Sequence, residues 1–216
     1  MTYLQIAVDG PAGSGKSTVA KQIAERLNIT YLDTGAMYRA VTYKALESKI
    51  DLQDASALKE VVDHMTIQVN HNRIAVDGID VSEAIRTQNV TLNVSLVSAD
   101  AYVRAEMVKR QQAIAKGQSV IMDGRDIGTT VLPDALYKFF LIADPRERAR
   151  RRLAELTAKG FTGDLDEIVA DIIRRDTFDS SREVSPLKKA DDAIEIDTTH
   201  MTIDEVIEEI LKAVKI

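Results

Sequence analysis

The run Gly10-Pro11-Ala12-Gly13-Ser14-Gly15-Lys16-Ser17 fits the spacing Gly-x-x-x-x-Gly-Lys-Ser/Thr at every fixed position. That spacing suits a polyphosphate. Glycines let the backbone wrap phosphate oxygens with its N–H groups, and a helix starting just after them adds the positive end of its dipole. Lys16 is placed to bridge the β- and γ-phosphates, the Ser17 hydroxyl to ligate Mg²⁺, and Thr18 to add a contact to the α-phosphate. The motif alone fits an ATPase, a GTPase, a kinase or a motor. No Asn-Lys-x-Asp guanine-reading run occurs, which favours ATP. Asp123 follows the apolar run Ser119–Met122; it is either a Walker-B-like carboxylate beside the metal or a cap on the next turn.

Arginines carry the second signal. Arg39 closes the run Asp33–Arg39, Arg125 sits in Asp123–Asp126, Arg104 lies in a mid-chain helical segment, and Arg182 comes just after Asp179. A lone arginine is ordinarily a solvated surface group. Several beside glycines and acidic turns point instead to a second phosphate, which the guanidinium fork grips with two hydrogen bonds. Arg39 and Arg125 follow predicted strand ends, where open α/β sheets bind ligands. Arg146, Arg148, Arg150, Arg151 and Arg152 form a further cluster. One reading is a basic helix face paired with Glu147 and Glu155. The preferred one is a lid that closes over the transferring group and excludes water, with Arg148, Arg151 and Arg152 on one face.

The elements that must hold these groups alternate. An apolar run over Tyr3–Val8 predicts a buried strand, and the spacing of Val19, Ala20, Ile23, Ala24 and Leu27 predicts a helix over Lys16–Leu27. A short strand is expected at Ile29–Leu32 and a helix at Ala36–Ser48. Residues 51–98 break the rhythm and predict an inserted subdomain with a hairpin, Met65–Val69 and Arg73–Val76, joined at Asn70-His71-Asn72. A helix from Asp100 to Lys116 follows, then strands at Ser119–Met122 and Phe139–Ile142. Helices at Arg146–Ala158 and Leu165–Phe178, a strand at Ala193–Ile196 and an amphipathic helix at Ile203–Val214 capped by Thr202 complete the reading. The alternation predicts an α/β fold with a parallel sheet.

Composition excludes several classes. The 216 residues suit one full-sized core. No cysteine is present, and no charged and apolar leader is read at the start, so a reducing cytosol and a cytoplasmic location are expected. No apolar run reaches the roughly 18 residues a membrane span needs. The formal charge of −6 offers no general attraction to nucleic acid. A monomer is the default, since no heptad seam is left over.

Several ordered motifs together resemble the bacterial cytidylate kinases, of the nucleoside monophosphate kinase group of P-loop NTPases. They are Asp9–Thr18 (DGPAGSGKST), Leu32–Arg39 (LDTGAMYR), Asp77–Thr87 (DGIDVSEAIRT), Asp123–Gly128 (DGRDIG) and Arg175–Leu187 (RDTFDSSREVSPL). The likeness runs nearly end to end. It implies one three-layer α/β/α kinase domain over 1–216 with a central parallel sheet. Residues 51–98 would be an inserted monophosphate-binding subdomain and 145–163 a short helical lid. ATP would be the donor, with Mg²⁺, and CMP or dCMP the acceptor. Lys16, Arg125 and Arg151 would be catalytic. Thr34, Arg39, Arg125 and Arg182 would hold the acceptor phosphate, Asp179 the ribose, and Ser95, Arg104 and Asp126 the cytosine. A carboxylate attracts cytosine's amino group and repels the carbonyl that uracil shows there. Ser95 has a second reading, a hydroxyl bonded to its own helix. Phe178 stands where some relatives carry charge and takes no phosphate role. Two other classes share the cradle: a kinase of a hydroxyl acid such as shikimate, and a non-catalytic ATP-responsive switch. The hydroxyl nucleophile of the first would need a base, and the second would tolerate loss of Asp179 and the arginine loops.

Overall fold

In the computed structural model, which describes residues 3–70, 73–158 and 160–214, β1 (Gln5–Asp9), α1 (Lys16–Leu27), β2 (Thr30–Asp33) and α2 (Thr34–Glu47) follow in turn. Then come α3 (Ala55–His64), the strands β3 (Ile67–Asn70), β4 (Arg73–Val76) and β5 (Ile79–Asp80), α4 (Gln88–Ala99) and α5 (Ala101–Ala115). The chain continues through β6 (Val120–Gly124), β7 (Tyr137–Ile142), α6 (Pro145–Ala158), α7 (Leu165–Ser181), β8 (Ile194–Asp197) and α8 (Ile203–Val214).

The main sheet is parallel throughout, in the order β2-β6-β1-β7-β8. Because it is covered on both faces, its strands read as continuous apolar runs. Alternation along β1 feeds two cores: Ile6 and Val8 pack with α1 and α8, and Ala7 packs on the opposite side with α2 and α5. Ile23, Ile207 and Ile210 have no exposed surface, and each such burial stabilises the fold by about 2 kcal/mol. The register sets Asp33 beside Asp123 and Asp9 beside Gly124. Three strand ends therefore finish on one edge of the sheet.

The local signals mostly act as read. Asp100 caps α5 by accepting from the Val103 N–H at 2.9 Å. Thr202 and Glu205 form a reciprocal capping box at the start of α8, 3.3 and 2.8 Å. Helix α2 begins two residues before the expected Ala36, because the Asp33 carboxylate accepts from the Ala36 N–H and draws Thr34 into the first turn. Helix α7 runs past the expected end at Phe178 to Ser181. The larger departure lies in 51–98, where no helix is expected and the structure has both α3 and α4. The β-branched residues of α4 argue weakly against a helix. Tertiary burial decides: Val90, Val94 and Val97, at helical spacing, are buried, while Leu92 stays 62% exposed. Strands β3, β4 and β5 form a separate antiparallel sheet, with Asn70 opposite Arg73. His71 and Asn72 of the expected turn lie outside the described residues.

Gly10 connects β1 to the loop with a φ of 150°, and a Cβ placed on it would sit 2.1 Å from the Leu141 carbonyl oxygen on β7. That oxygen is backbone and cannot swing aside. Gly10→Ala should therefore cost about 2 kcal/mol, about 6 °C of Tm for a chain of this size. A thermal melt matching wild type would contradict this packing.

Candidate active site

The loop between β1 and α1 is shaped by its glycines. Gly13 and Gly15 take left-handed φ values of 77° and 87°, a conformation that turns successive N–H groups toward one point. Lys16 begins α1, is buried, and donates to the Pro11 carbonyl at 2.8 Å. Burial, followed by the nearby Arg125 guanidinium, lowers its pKa to about 7. A polyanion in the loop would restore its full charge.

Beside the lysine, Ser17 Oγ donates to Asp123 Oδ2 at 2.7 Å, and Tyr31 donates to Asp123 Oδ1 at 2.8 Å. Burial and the neighbouring Asp33 raise the Asp123 carboxyl to about 6. Asp123 thus faces the Ser17 and Tyr31 hydroxyls rather than capping the next turn. A hydroxyl next to a carboxylate offers hard oxygen donors that fit Mg²⁺, which fills its remaining positions with water and phosphate oxygens. Such a site needs no cage of three acidic or histidine side chains, and none occurs among the described residues. A cavity of about 620 Å³ opens here between α1 and the β3–β5 sheet, lined by Ser17, Tyr31, Asp33 and Arg73 among others.

Behind Asp123 the chain turns into a second, smaller cavity. Thr34, Arg39, Arg104, Arg125, Asp126, Asp179 and Arg182 all line it, as do Tyr38, Ser98 and Arg175. Arg125 Nε donates to Asp179 Oδ2 at 2.9 Å, and Arg182 lies 3.8 Å from the other oxygen. Arg104 pairs with Asp126 in full burial, donates to the Ser98 carbonyl at 3.1 Å, and stacks over the Tyr38 ring. Thr34 Oγ1 donates to the Asp123 carbonyl at 2.7 Å. Arg39 donates to Thr91 Oγ1 at 2.9 Å and so reaches α4. Burial lowers Arg39 and Arg175 to about 10 each, and the positive neighbour Arg125 adds to the effect at Arg175. Positive charge exceeds negative in this lining. That excess of guanidinium charge is suited to an anion.

Ser95 is not in the wall. It is half-buried on α4, and its carbonyl accepts from Ser98 Oγ at 3.1 Å, so Ser98 is the α4 hydroxyl that faces the cavity. One helical turn separates the two. Arg175 opens the run Arg175–Leu187 with no local feature that marks it for a ligand, and Tyr38 reads in sequence as an ordinary core aromatic. Phe178 points away, 38% exposed on α7.

The arginines of α6 divide. Arg150 and Arg152 pair on the surface with Glu147 and Glu155, at 3.1 and 3.2 Å, which is the plain helix-face reading. Arg146 pairs with Asp166 at 3.0 Å. Arg151 donates to the carbonyls of Thr198 and Thr199, at 2.7 and 3.3 Å. Thr198 in turn donates to the Ser14 carbonyl at 3.2 Å, so Arg151 lies next to the loop. Arg148 is buried. The expected single face of Arg148, Arg151 and Arg152 is therefore split among three surroundings.

Asp9, buried at the end of β1, ties that strand to the segment after β6. Its carboxylate accepts from the Ile127 and Gly128 N–H groups at 2.8 and 2.7 Å, just after Asp126. Burial outweighs those bonds and raises the carboxyl from 3.8 to about 6.

The family model for cytidylate kinase matches residues 6–216. Cytidylate kinase from Bacillus cereus (strain B4264) is 52% identical over 215 residues, 98% of this chain and 96% of the relative. The enzyme of that name from Clostridioides difficile (strain 630) is 52% identical over 216 residues, the whole of both chains. Among solved structures, shikimate kinase from Bacteroides thetaiotaomicron superposes with a TM-score of 0.51 at 13% identity, covering 99% of each chain. An uncharacterized protein from Eubacterium ventriosum ATCC 27560 gives 0.55 at 15%, covering 99% of this chain and 98% of that one. These two likenesses establish the fold alone.

An acid whose folded pKa exceeds its unfolded one binds its proton more tightly when folded, so Asp9's contribution is largest in acid and shrinks as pH rises from about 4 to 6. Relative to Asp9→Asn, wild type should lose about 2 kcal/mol of unfolding free energy between pH 4 and pH 7. Denaturant melts at the two pH values measure this; a difference independent of pH would place the carboxyl at its ordinary value.

Proposed function

The chain belongs to the cytidylate kinase family, and from that premise we infer its reaction: ATP and CMP give ADP and CDP by transfer of the γ-phosphoryl group. The observation that carries the acceptor site is the convergence of Arg39, Arg104, Arg125, Arg175 and Arg182 with Asp126 and Asp179 in one cavity. The nearness of Arg125 and Asp179 to Lys16, which perturb its charge, supports setting the acceptor against the donor loop.

The acceptor phosphate already carries an anionic oxygen near neutral pH, so in-line attack on the γ-phosphorus requires no protein base. Catalysis is positioning and charge neutralisation. Lys16 bridges the donor's β- and γ-phosphates while the loop N–H groups hold the chain of oxygens. Ser17 and Asp123 would hold Mg²⁺, which supplies charge neutralisation between those phosphates when bound. Thr34, Arg39, Arg125 and Arg182 grip the acceptor phosphate, and Arg125 also faces the transferred group. Arg151 neutralises charge from the α6 side. Asp179 takes the ribose hydroxyls, and dCMP, which keeps the 3′-hydroxyl, is an acceptor too. Arg104 and Asp126 read the cytosine edge, with Ser98, one turn along α4 from the expected Ser95, completing the set. We assign residues 51–98 to closure over the monophosphate and 145–163 to the lid, within one kinase domain acting as a monomer in the cytosol. No helix among the described residues is long and apolar enough to cross a membrane.

ADP release, measured with Mg-ATP and CMP, dCMP, UMP, AMP or shikimate in turn, tests the acceptor. Turnover is expected with CMP and dCMP and little with UMP; preference for any other acceptor would sink the assignment. Lys16→Ala should lower kcat by roughly a thousandfold, the scale of a lost transition-state charge contact, and wild-type turnover in that variant would rule out the mechanism. Asp126→Asn should cut the preference for CMP over UMP by about tenfold or more. Unchanged discrimination would remove it as the base reader.

A further inference from the structure

Arg148 is the most enclosed arginine of α6, with 3% of its surface exposed, and its guanidinium reaches three separate elements. Nε donates to the Ala143 carbonyl at the end of β7, at 2.9 Å. One terminal nitrogen donates to the Ala12 carbonyl in the donor loop, also at 2.9 Å. The other pairs with Asp176 on α7 at 2.6 Å. A buried guanidinium is costly unless all its directions are met. Here they are met by the donor loop on one side and by α7 on the other.

Both ends lead to substrate. The Ala12 carbonyl and the Gly13 N–H belong to one planar trans peptide, so they point in opposite directions. Holding the carbonyl toward Arg148 aims the N–H away from it, into the loop. Gly13 also packs on this side chain, since a Cβ there would lie 3.4 Å from the Arg148 Cβ. On α7, Asp176 follows Arg175 directly and precedes Asp179 by three residues, and those two line the acceptor cavity. A polyphosphate that draws on the Gly13 N–H pulls on a peptide connected through one rigid fork to the helix carrying acceptor ligands.

We propose that Arg148 is a positioning residue that couples the two substrate sites, so that filling the donor loop strengthens binding of the acceptor nucleotide through Ala12, Arg148 and Asp176. It touches neither substrate itself. Coupling of this kind is reciprocal and is read as a ratio of affinities. Lysine at this position would supply a point charge without the three-way fork. Asparagine for Asp176 is isosteric, keeps the helix, and removes the charge from the same contact at the other end.

The proposal rests on the assignment of the smaller cavity to CMP. Calorimetry gives the test: the Kd of CMP with and without a saturating, non-hydrolysable β,γ-imido analogue of Mg-ATP, in wild type, Arg148→Lys and Asp176→Asn. Wild type should bind CMP more tightly with the analogue present. Each variant should shrink that ratio by about fivefold, with a much smaller change in CMP affinity alone. If Arg148→Lys fails to fold, Asp176→Asn carries the test by itself. A wild-type ratio of one, or variants that keep the wild-type ratio, overturns the coupling while leaving the acceptor assignment intact. A wild type that binds no CMP overturns the acceptor assignment instead.

Discussion

Much of this molecule hangs on one buried carboxylate. Asp123 ends a central strand, receives hydroxyl bonds from Ser17 and Tyr31, and offers its backbone carbonyl to Thr34. Ser17 belongs to the glycine motif and Thr34 to the helix that opens the smaller cavity. The parallel register brings all of them to the same edge of the sheet, where Asp33 lies directly beside Asp123. A charged group in that position is tolerable only because hydrogen bonds converge on it. The same arrangement makes it ready for a divalent cation, whose charge would hold it ionised.

Electrostatic imbalance then becomes the organising property of the neighbouring cavity. Asp126 is spent on Arg104 and Asp179 on Arg125 and Arg182, so the remaining guanidiniums face one another across a small space. Holding like charges close together in a low-dielectric space costs electrostatic energy. Most arginines of α6 have the opposite character: they are exposed and matched by local glutamates or aspartates, where screening leaves little energy in each pair.

The fold was largely legible from the chain because its main sheet is simple: strands buried on both faces give unbroken apolar runs, and the glycine motif marks the turn. The interior of 51–98 was not, because helix α4 is built from valine, threonine and asparagine and owes its form to burial against α2 and α5. At the site, residues that sit in glycine or acidic motifs stood out, Arg39, Arg125 and Asp179 among them. Ser98 did not, since nothing local separates it from Ser95; only the rotation of α4 decides which hydroxyl meets the cavity. The role of α6 was blurred for a similar reason. Five arginines look alike in sequence, and the difference between a surface pair and a buried three-way contact lies in residues some 30 and 130 positions away.

The donor loop occupies residues 10–17, yet its backbone is held by groups from the far end of the chain. Ser14 is bonded by Thr198, Ala12 by Arg148, and Gly10 abuts Leu141. During synthesis the motif leaves the ribosome well before Leu141, Arg148 and Thr198 do. A nascent chain carrying only α1, the inserted segment and α5 has the phosphate-binding residues without the walls that shape them. The loop therefore takes its full shape only once synthesis has passed Thr198.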